Sequence, residues 1–353
     1  MSSIPQRRIL TETEPACQRG PDERSDDGRM TSAPALLALL STHTPVSGAE
    51  LAQRLRVSRA AVWKQVEALR AAGVAIDASP RRGYRLVRAV EPLDSLAIRR
   101  SLSGTARRRI GVLETQWKLD STSSELARRA AQMPDCSFVF AETQSAGRGR
   151  RGRVWASPPA GNLYFSGLKR FESGYAALSG LSLAAGVAVL RALQDSNVHG
   201  VQLKWPNDLV VQNAKLAGIL IELGGEFLGP CQAVIGIGLN VHLPNPVRAA
   251  IGQPVTDLDS LCNGEPPKRN ALAAALIERL CEALEIFGEH GFAAFADEYA
   301  QHDALFGCAL HVDDPRGAFD GIGAGVDARG ALRVRTRGGV RTLDSAEVSI
   351  RPA

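Results

Sequence analysis

One short segment, residues 147–153 with the sequence GRGRRGR, restricts what this chain can fold into more than any other. Its four arginines repel one another and its three glycines resist ordering, so a single conformation is unfavourable without a ligand. The segment follows the apolar residues 138–141, and Trp155 closes it. We therefore expect a loop that an anion such as phosphate orders. Taken alone, the run is also compatible with a solvated basic turn or a nucleic-acid patch.

Three downstream segments favour the phosphate-binding interpretation. They are residues 204–209 (KWPNDL), 215–220 (KLAGIL) and 236–241 (GIGLNV). Together they place two lysines, a carboxylate and two asparagines beside strand-like apolar runs. Binding of a nucleoside triphosphate, its metal and a second, carboxylate substrate requires such a set. The chain has no GxxxxGK[ST] motif, so we do not expect a P-loop to hold the nucleotide.

Length and composition indicate a globular protein of about two or three domains, with 353 residues of which 44% are hydrophobic. The excess of 42 Lys+Arg over 37 Asp+Glu is small, so local basic clusters matter more than net charge. The six cysteines form no CxxC pair, which argues against a disulfide framework and against a zinc site. We expect free thiols in a reducing, cytoplasmic environment.

The sequence carries no sign of membrane insertion or secretion. Its longest apolar run, residues 178–190, is too short to span a bilayer. Residues 1–29 lack the apolar core of a signal peptide. We interpret residues 1–30 as a disordered tail, with Met30 as an alternative start, and we expect no membrane partner.

Residues 31–90 have the pattern of a winged helix-turn-helix domain. Helices are predicted at 36–40, 48–55 and 58–72, and a hairpin with a basic tip at 79–83 follows them. In such a domain the third helix enters the major groove and the wing meets phosphate. The candidate DNA-binding residues are Ser58, as the helix cap, with Arg59, Lys64, Gln65, Arg81 and Arg82. A protein-interaction module or a lid with the same fold is the alternative.

A linker at Glu91 and Pro92 leads to a central α/β domain, residues 95–300, and to a C-terminal domain of short strands, residues 305–353. Short turns between the central strands predict a mixed sheet, and the fold class is α+β. Strands are expected near residues 111–114, 138–142, 163–167, 201–204, 209–211, 217–223 and 233–237. Helices are expected near residues 123–131, 176–194 and 271–287, with Asn270 as the cap of the last and Gly288 as its end.

These motifs, in this order and spacing, resemble the biotin protein ligases (the biotin–acetyl-CoA-carboxylase ligase family), in particular the bifunctional form that is also the biotin operon repressor. The resemblance extends from about Leu36 to the C-terminus. It implies a central domain like that of class II aminoacyl-tRNA synthetases and an SH3-like C-terminal barrel. It also implies ATP and Mg²⁺ as cofactors, biotin as substrate, and the acceptor lysine of a biotin carboxyl carrier protein as partner. Operator DNA of biotin synthesis genes and a ligand-promoted homodimer complete the expected partners.

The resemblance implies two reactions in one pocket, the formation of biotinyl-5′-AMP and the transfer of biotin to the carrier lysine. The expected catalytic residues are Arg150, Lys204, Lys215 and Asp208, with Asp208 also the candidate Mg²⁺ ligand. The expected biotin-binding residues are Ser121, Thr122, Ser123, Gln144, Arg148, Gly149, Arg150, Lys215 and Gly218. The expected ATP or adenylate contacts are Arg151, Arg153, Trp155, Asn207 and Asn240.

Two of these assignments carry a structural alternative. Thr122 and Glu125 form a capping box, so residues 121–123 can simply begin a helix, and the family usually has Asn where this chain has Ser123. Trp155 is expected to stack on adenine or to lock the arginine loop.

Two competing functions remain open at this stage. A lipoate or octanoate ligase would need a long apolar tunnel, whereas Ser121, Thr122 and Gln144 offer partners to a ureido ring. A purely DNA-binding biotin sensor would not need Arg150 and Lys215.

Overall fold

The computed structural model describes residues 33–79, 82–314 and 317–344, and the backbone of residues 347–350. The expected tail at residues 1–30 and the wing residue Arg81 lie outside the described residues.

The N-terminal module consists of three helices and a hairpin, as the sequence predicts. Its elements are α1 (Ala33–Leu39), α2 (Gly48–Leu55), α3 (Arg59–Ala71), β1 (Ile76–Ser79) and β2 (Gly83–Leu86). The Ser58 hydroxyl accepts a hydrogen bond from the Ala61 amide at 3.1 Å, which caps α3. The antiparallel β1 and β2 form the wing.

The central domain is built on one mixed, seven-stranded sheet. Its strands are β3 (Leu113–Leu119), β4 (Ser137–Gln144), β5 (Leu163–Phe171), β6 (Gln202–Lys204), β7 (Asp208–Val211), β8 (Ala214–Gly225) and β9 (Cys231–Leu239). They lie in the order β3-β4-β5-β9-β8-β7-β6, and only β3 and β4 are parallel. The prediction of a mixed sheet is confirmed.

Helices cover both faces of this sheet. The described central helices are α4 (Ser95–Ser101), α5 (Gly104–Arg109), α6 (Thr122–Arg129), α7 (Leu181–Asp195), α8 (Asn245–Ala250), α9 (Leu258–Leu261), α10 (Arg269–His290) and α11 (Ala296–Gln301). Short 3-10 turns lie at Arg150–Gly152, Tyr175–Ala177 and Gly291–Phe295. The aliphatic α7 and α10 bury the large core against one face, and Leu126 of α6 packs on the other. None of the described helices is long and apolar enough to cross a membrane.

The predicted ends of α10 are wrong. Lys268 precedes the helix, and the buried Asn270 instead ties down the linker, since its Oδ1 accepts from Asp94 N at 2.9 Å and its Nδ2 donates to the Pro92 carbonyl at 3.0 Å. The helix also passes through Gly288 and ends at Gly291, whose φ of 63° suits glycine. The Asn270 side chain, which the sequence pattern assigned to a helix cap, therefore hydrogen-bonds to the distant linker.

Direct contacts join the N-terminal module to the central domain. Trp117 of β3 and Ala160 belong to the apolar cluster of the N-terminal module. Arg88 also reaches Asp259 at 3.3 Å. The linker is fixed in turn, because the Arg269 guanidinium donates to the Glu91 carbonyl at 2.8 Å.

The C-terminal residues form a five-stranded antiparallel sheet in the order β13-β12-β11-β10-β14. Its strands are β10 (Ala309–Asp313), β11 (Phe319–Val326), β12 (Leu332–Thr336), β13 (Gly339–Leu343) and β14 (Glu347–Ile350). Leu310 and Val334 join the core of the central domain. The Trp205 indole also donates to the Gly330 carbonyl at 3.0 Å, so this tryptophan is structural.

Candidate active site and DNA-binding surface

A cavity of about 320 Å³ lies where β4, β6, β8 and β9 meet the arginine loop. It brings together residues that are far apart in the sequence, and all but one of the expected ligand residues line it. These are Ser121, Thr122, Ser123, Gln144, Arg148, Gly149, Arg150, Arg151, Arg153, Trp155, Lys204, Asn207, Asp208, Lys215 and Gly218. The cavity therefore has one strongly cationic end and one neutral polar end.

The arginine loop forms a tight turn over the cavity. The Gly149 amide donates to the Arg153 carbonyl at 2.7 Å, and the Trp155 amide donates to the Gly147 carbonyl at 2.9 Å. Inside the turn, Arg151 has a left-handed backbone with φ 56° and ψ 36°. The loop is tied to β8 by the ion pair of Arg148 with Glu222 at 2.7 Å.

Two lysines and one aspartate form the charged floor of the cavity. Asp208 opens β7, where it pairs with Lys204 of β6 across the sheet. Its carboxylate lies 2.7 Å from Lys215 Nζ. Burial lowers the pKa of Lys204, and Asp208 offsets this effect only in part. Lys204 therefore loses its proton at a lower pH than a free lysine does.

A flat apolar platform supports Trp155 beside this floor. Gly218 of β8 and Gly238 of β9 face each other in the strand pairing. A Cβ at Gly238 would collide with the indole of Trp155, so only glycine lets the ring lie on the sheet. Lys215 Nζ lies 5.3 Å from the ring centre. Within the described part of the chain, the buried Trp155 Nε1 has no hydrogen-bond partner.

The neutral end consists of hydroxyls and an amide. Both Thr122 and Ser123 contact the Ser166 hydroxyl, at 2.9 and 3.0 Å. Gln144 Oε1 accepts from the Thr122 amide at 2.9 Å, and Gln144 Nε2 donates to Ser157 Oγ at 3.1 Å. Each group can both give and take hydrogen bonds, which suits a flat neutral ring.

The start of α6 shows that capping and lining coexist. Ser121, not Thr122, is the N-cap of the helix, so the predicted capping box of Thr122 and Glu125 does not form, and the Glu125 carboxylate pairs with Arg128. Ser121, Thr122 and Ser123 nevertheless line the cavity. Ser166 was not expected at this end, since one serine within the mainly apolar strand β5 forms no recognisable motif.

Asn240 is the one expected ligand residue that does not line the cavity, and its assignment needs correction. Its Nδ2 donates to the Thr256 carbonyl at 3.1 Å, so the amide fixes a loop behind the site. Asn207 does line the cavity, where its Oδ1 accepts from Arg150 at 3.4 Å. Gln253 and Asp313 also line the cavity, and no motif in the sequence predicts this.

The structure offers few metal ligands. The residues that the structure describes contain no group of three or more His, Cys, Asp or Glu side chains that could hold a metal ion. Asp208 and Asp313 are the carboxylates that line the cavity. Because Mg²⁺ commonly uses one or two carboxylates together with substrate phosphates, this sparse set fits a magnesium ion that arrives with a nucleotide.

On the N-terminal module, α3 and the wing present the expected basic surface. Arg59, Lys64 and Arg82 are exposed, and Gln65 is half-buried. Arg85 is paired with Asp77 at 3.1 Å. The surface has the charge that a phosphate backbone requires.

Comparison with known proteins identifies similar biotin ligases and ligase/repressors. The model of the biotin/lipoate A/B protein ligase family matches residues 114–240, and a helix-turn-helix domain model matches residues 34–85. The bifunctional ligase/repressor BirA of Escherichia coli strain K12 is 36% identical over 318 residues, which cover 90% of this chain and 97% of that protein. The protein of the same name from Bacillus subtilis strain 168 is 29% identical, with 86% and 94% covered.

Among solved structures, the biotin protein ligase from Aquifex aeolicus in complex with biotin and ATP is similar to this chain. It has a TM-score of 0.59 and 27% identity, and the match covers 69% of this chain and 99% of that one. The ligase family match at residues 114–240 includes most of the residues that line the cavity.

Proposed function

Since the chain belongs to the family of bifunctional biotin ligase/repressors, we propose that its cavity joins biotin to ATP and then to a carrier-protein lysine. The protein is an ATP-dependent biotin protein ligase, and its helix-turn-helix domain gives it a repressor role. One observation supports the assignment of the reaction to this cavity. Its cationic end suits the meeting of two anions, and its neutral end suits an uncharged ring.

In the first step, an oxygen of the biotin carboxylate forms a bond to the α-phosphorus of ATP, and pyrophosphate leaves with the electrons of the broken bond. Two anions must approach each other, so the site needs cations that are already in position. We assign Lys215 and Arg150 to this task, with Lys204 beside them. Lys215 is assigned to bridge the carboxylate and the phosphate, because Asp208 holds its Nζ at the cavity floor.

The remaining residues divide between the two substrates. We assign Arg148, Gly149 and Gly218 to the biotin carboxylate and its chain. Arg151 and Arg153 are assigned to polyphosphate, Trp155 to adenine and Asn207 to a polar contact. We withdraw Asn240 from the set because its amide is used behind the site.

Magnesium, when bound, neutralises phosphate charge and orients the leaving pyrophosphate. We propose Asp208 as its protein ligand, shared with Lys215. In the second step, a neutral lysine amine of the carrier protein attacks the carbonyl of the mixed anhydride and forms an amide bond, AMP leaves with the electron pair of the broken C–O bond, and the amine proton passes to solvent.

The neutral end favours biotin over lipoate or octanoate. Ser121, Thr122, Ser123 and Gln144 supply donors and acceptors that can pair with a ureido ring, whereas an aliphatic tail or a dithiolane has no matching groups to offer them. The retained cations at the other end argue against a sensor without catalysis.

Further details complete the proposal. We place domain limits at residues 31–90, 95–300 and 305–353, with a central fold like that of class II aminoacyl-tRNA synthetases and an SH3-like C-terminal barrel. The protein binds DNA, and its operator is proposed to lie at biotin synthesis genes. A homodimer promoted by biotinyl-AMP, located in the cytoplasm, is the proposed repressing form.

Incubation of the protein with ATP, Mg²⁺ and either biotin or lipoate tests the ligase assignment. We expect pyrophosphate release and the mass of biotinyl-AMP with biotin only. An adenylate formed with lipoate but not with biotin would contradict the assignment.

A further inference from the structure

The recognition helix α3 exposes one large aromatic side chain. Trp63 is 59% exposed, whereas Val62, Val66 and Leu69 of the same helix are buried. The other tryptophans of the chain are half-buried or buried. A tryptophan ring stabilises a folded protein when it is buried away from water. An exposed ring therefore indicates a surface that a partner covers.

The charges around Trp63 select the kind of partner. Arg59 lies one helical turn before it, Lys64 is the next residue, and both are exposed. Glu67, one turn further on, is neutralised by Arg70 at 2.8 Å. Among the described residues, no ion pair neutralises Arg59 or Lys64, so the positive charge beside the ring complements a polyanion.

The position of Trp63 in the helix favours contact with the bases of DNA. In helix-turn-helix proteins, residues in the N-terminal part of the recognition helix contact base edges in the major groove. Trp63 lies in the first half of α3, between Arg59 and the second half of the helix. Arginine and lysine can bind phosphate or guanine, but an indole ring has mainly apolar surface to offer.

We propose that Trp63 reads sequence by packing on the C5-methyl group of a thymine in the operator. That methyl is the apolar group that the major groove presents, and it distinguishes an A·T pair from a G·C pair. The inference rests on the proposed DNA-binding function of the N-terminal module. It assigns sequence selectivity to Trp63 and general affinity to the cations beside it.

The test uses the full-length protein with biotin, ATP and Mg²⁺. A binding site is first selected from a pool of random duplexes, and each thymine in it is then replaced by uracil, which lacks only the methyl. For each thymine that a Trp63 ring contacts, one in each half-site of a dimer, wild-type protein should lose about four-fold in affinity, as expected for one buried methyl group. Trp63→Ala should bind the thymine and uracil duplexes equally and roughly ten-fold more weakly than wild type. Trp63→Phe should keep the thymine preference.

Two controls separate the ring from its surroundings. Leu96→Ala removes another exposed apolar side chain, on α4, and should change nothing. Lys64→Ala should weaken binding to all duplexes and reduce its salt dependence, while Trp63→Ala leaves the salt dependence unchanged.

A thymine preference that survives in Trp63→Ala overturns the inference but leaves DNA binding intact. If Trp63→Ala changes the sedimentation coefficient of the protein but not its base preference, Trp63 contacts protein and not DNA, and the inference is also overturned. If the wild-type protein selects no duplex, the proposed DNA-binding function fails together with the inference.

Discussion

At the level of single residues, electrostatic catalysis needs a cation whose position is fixed before substrates arrive. Lys215 is held by Asp208 at 2.7 Å, and both belong to the charged floor of the cavity. Preorganised charge of this kind needs little reorganisation during the reaction, which is the main source of electrostatic stabilisation in enzymes.

Removal of one cation should slow adenylation without unfolding the protein. We expect Lys215→Ala and Arg150→Ala each to lower the rate of biotin-dependent pyrophosphate release by about 100-fold, the usual loss for one electrostatic stabiliser. Arg109→Ala is the control, because Arg109 is exposed and paired with Glu285 outside the cavity. Near-normal rates in both cavity variants would refute the assigned roles.

The pH dependence of the reaction should report Lys204. Burial lowers the pKa of this lysine, so it loses its proton at a lower pH than a free lysine does. Because only the ammonium form attracts phosphate, kcat/KM for ATP should fall as the pH rises through this lowered pKa. Lys204→Arg keeps its charge and should move the fall to higher pH. An identical alkaline limb in the variant would show that another group controls it.

At the scale of elements, β8 and β9 shape the nucleotide end of the cavity. Their facing glycines, Gly218 and Gly238, leave space that the Trp155 ring fills. The loop that carries Trp155 is short and half-exposed, whereas the two strands are central in the sheet. A clash should therefore move the loop and not the strands.

Gly238→Ala should weaken ATP binding while the fold persists. Its Cβ would displace the Trp155 ring, so we expect the KM for ATP to rise roughly ten-fold, as overpacking by one methyl group commonly costs 1–3 kcal/mol. Gly224→Ala is a matched control in β8, because its Cβ would meet only the flexible Gln232 side chain at 3.5 Å. An unchanged KM in Gly238→Ala would remove Trp155 from the nucleotide site.

Local patterns predicted most elements, because hydrophobic periodicity determines α3, α7 and the central strands. They failed where a side chain serves a distant segment. Asn270 binds the linker instead of capping α10, and Asn240 binds a loop carbonyl instead of a ligand. Asp313 reaches the cavity from the C-terminal sheet, and no motif in its own segment indicates this.

At the scale of the whole molecule, the DNA-binding module rests on segments that lead into the ligand site. Trp117 packs on the N-terminal core four residues before Ser121, and Ala160 does so shortly after the arginine loop. When an anionic adenylate orders that loop, the neighbouring segments can shift, and these segments pack on the N-terminal module. Ordering the loop costs about 1 to 2 kcal/mol of backbone entropy per residue, and this cost reduces the free energy of ligand binding.

A single winged module reads one half-site, so useful operator affinity calls for a two-fold dimer. The central claim is that one cavity serves both reaction and regulation, with biotinyl-AMP as the common ligand. If so, the ligand must favour dimer and DNA together, and the coupling should have the usual allosteric size of about 1 to 3 kcal/mol.

Sedimentation of the protein with and without a non-hydrolysable biotinyl-AMP analogue, repeated in the presence of DNA from a biotin synthesis promoter, tests this claim most directly. We expect the analogue to tighten both dimerisation and DNA binding, by roughly 5- to 150-fold. An unchanged monomer–dimer equilibrium and an unchanged DNA affinity would contradict the claim, even in a protein that ligates biotin normally.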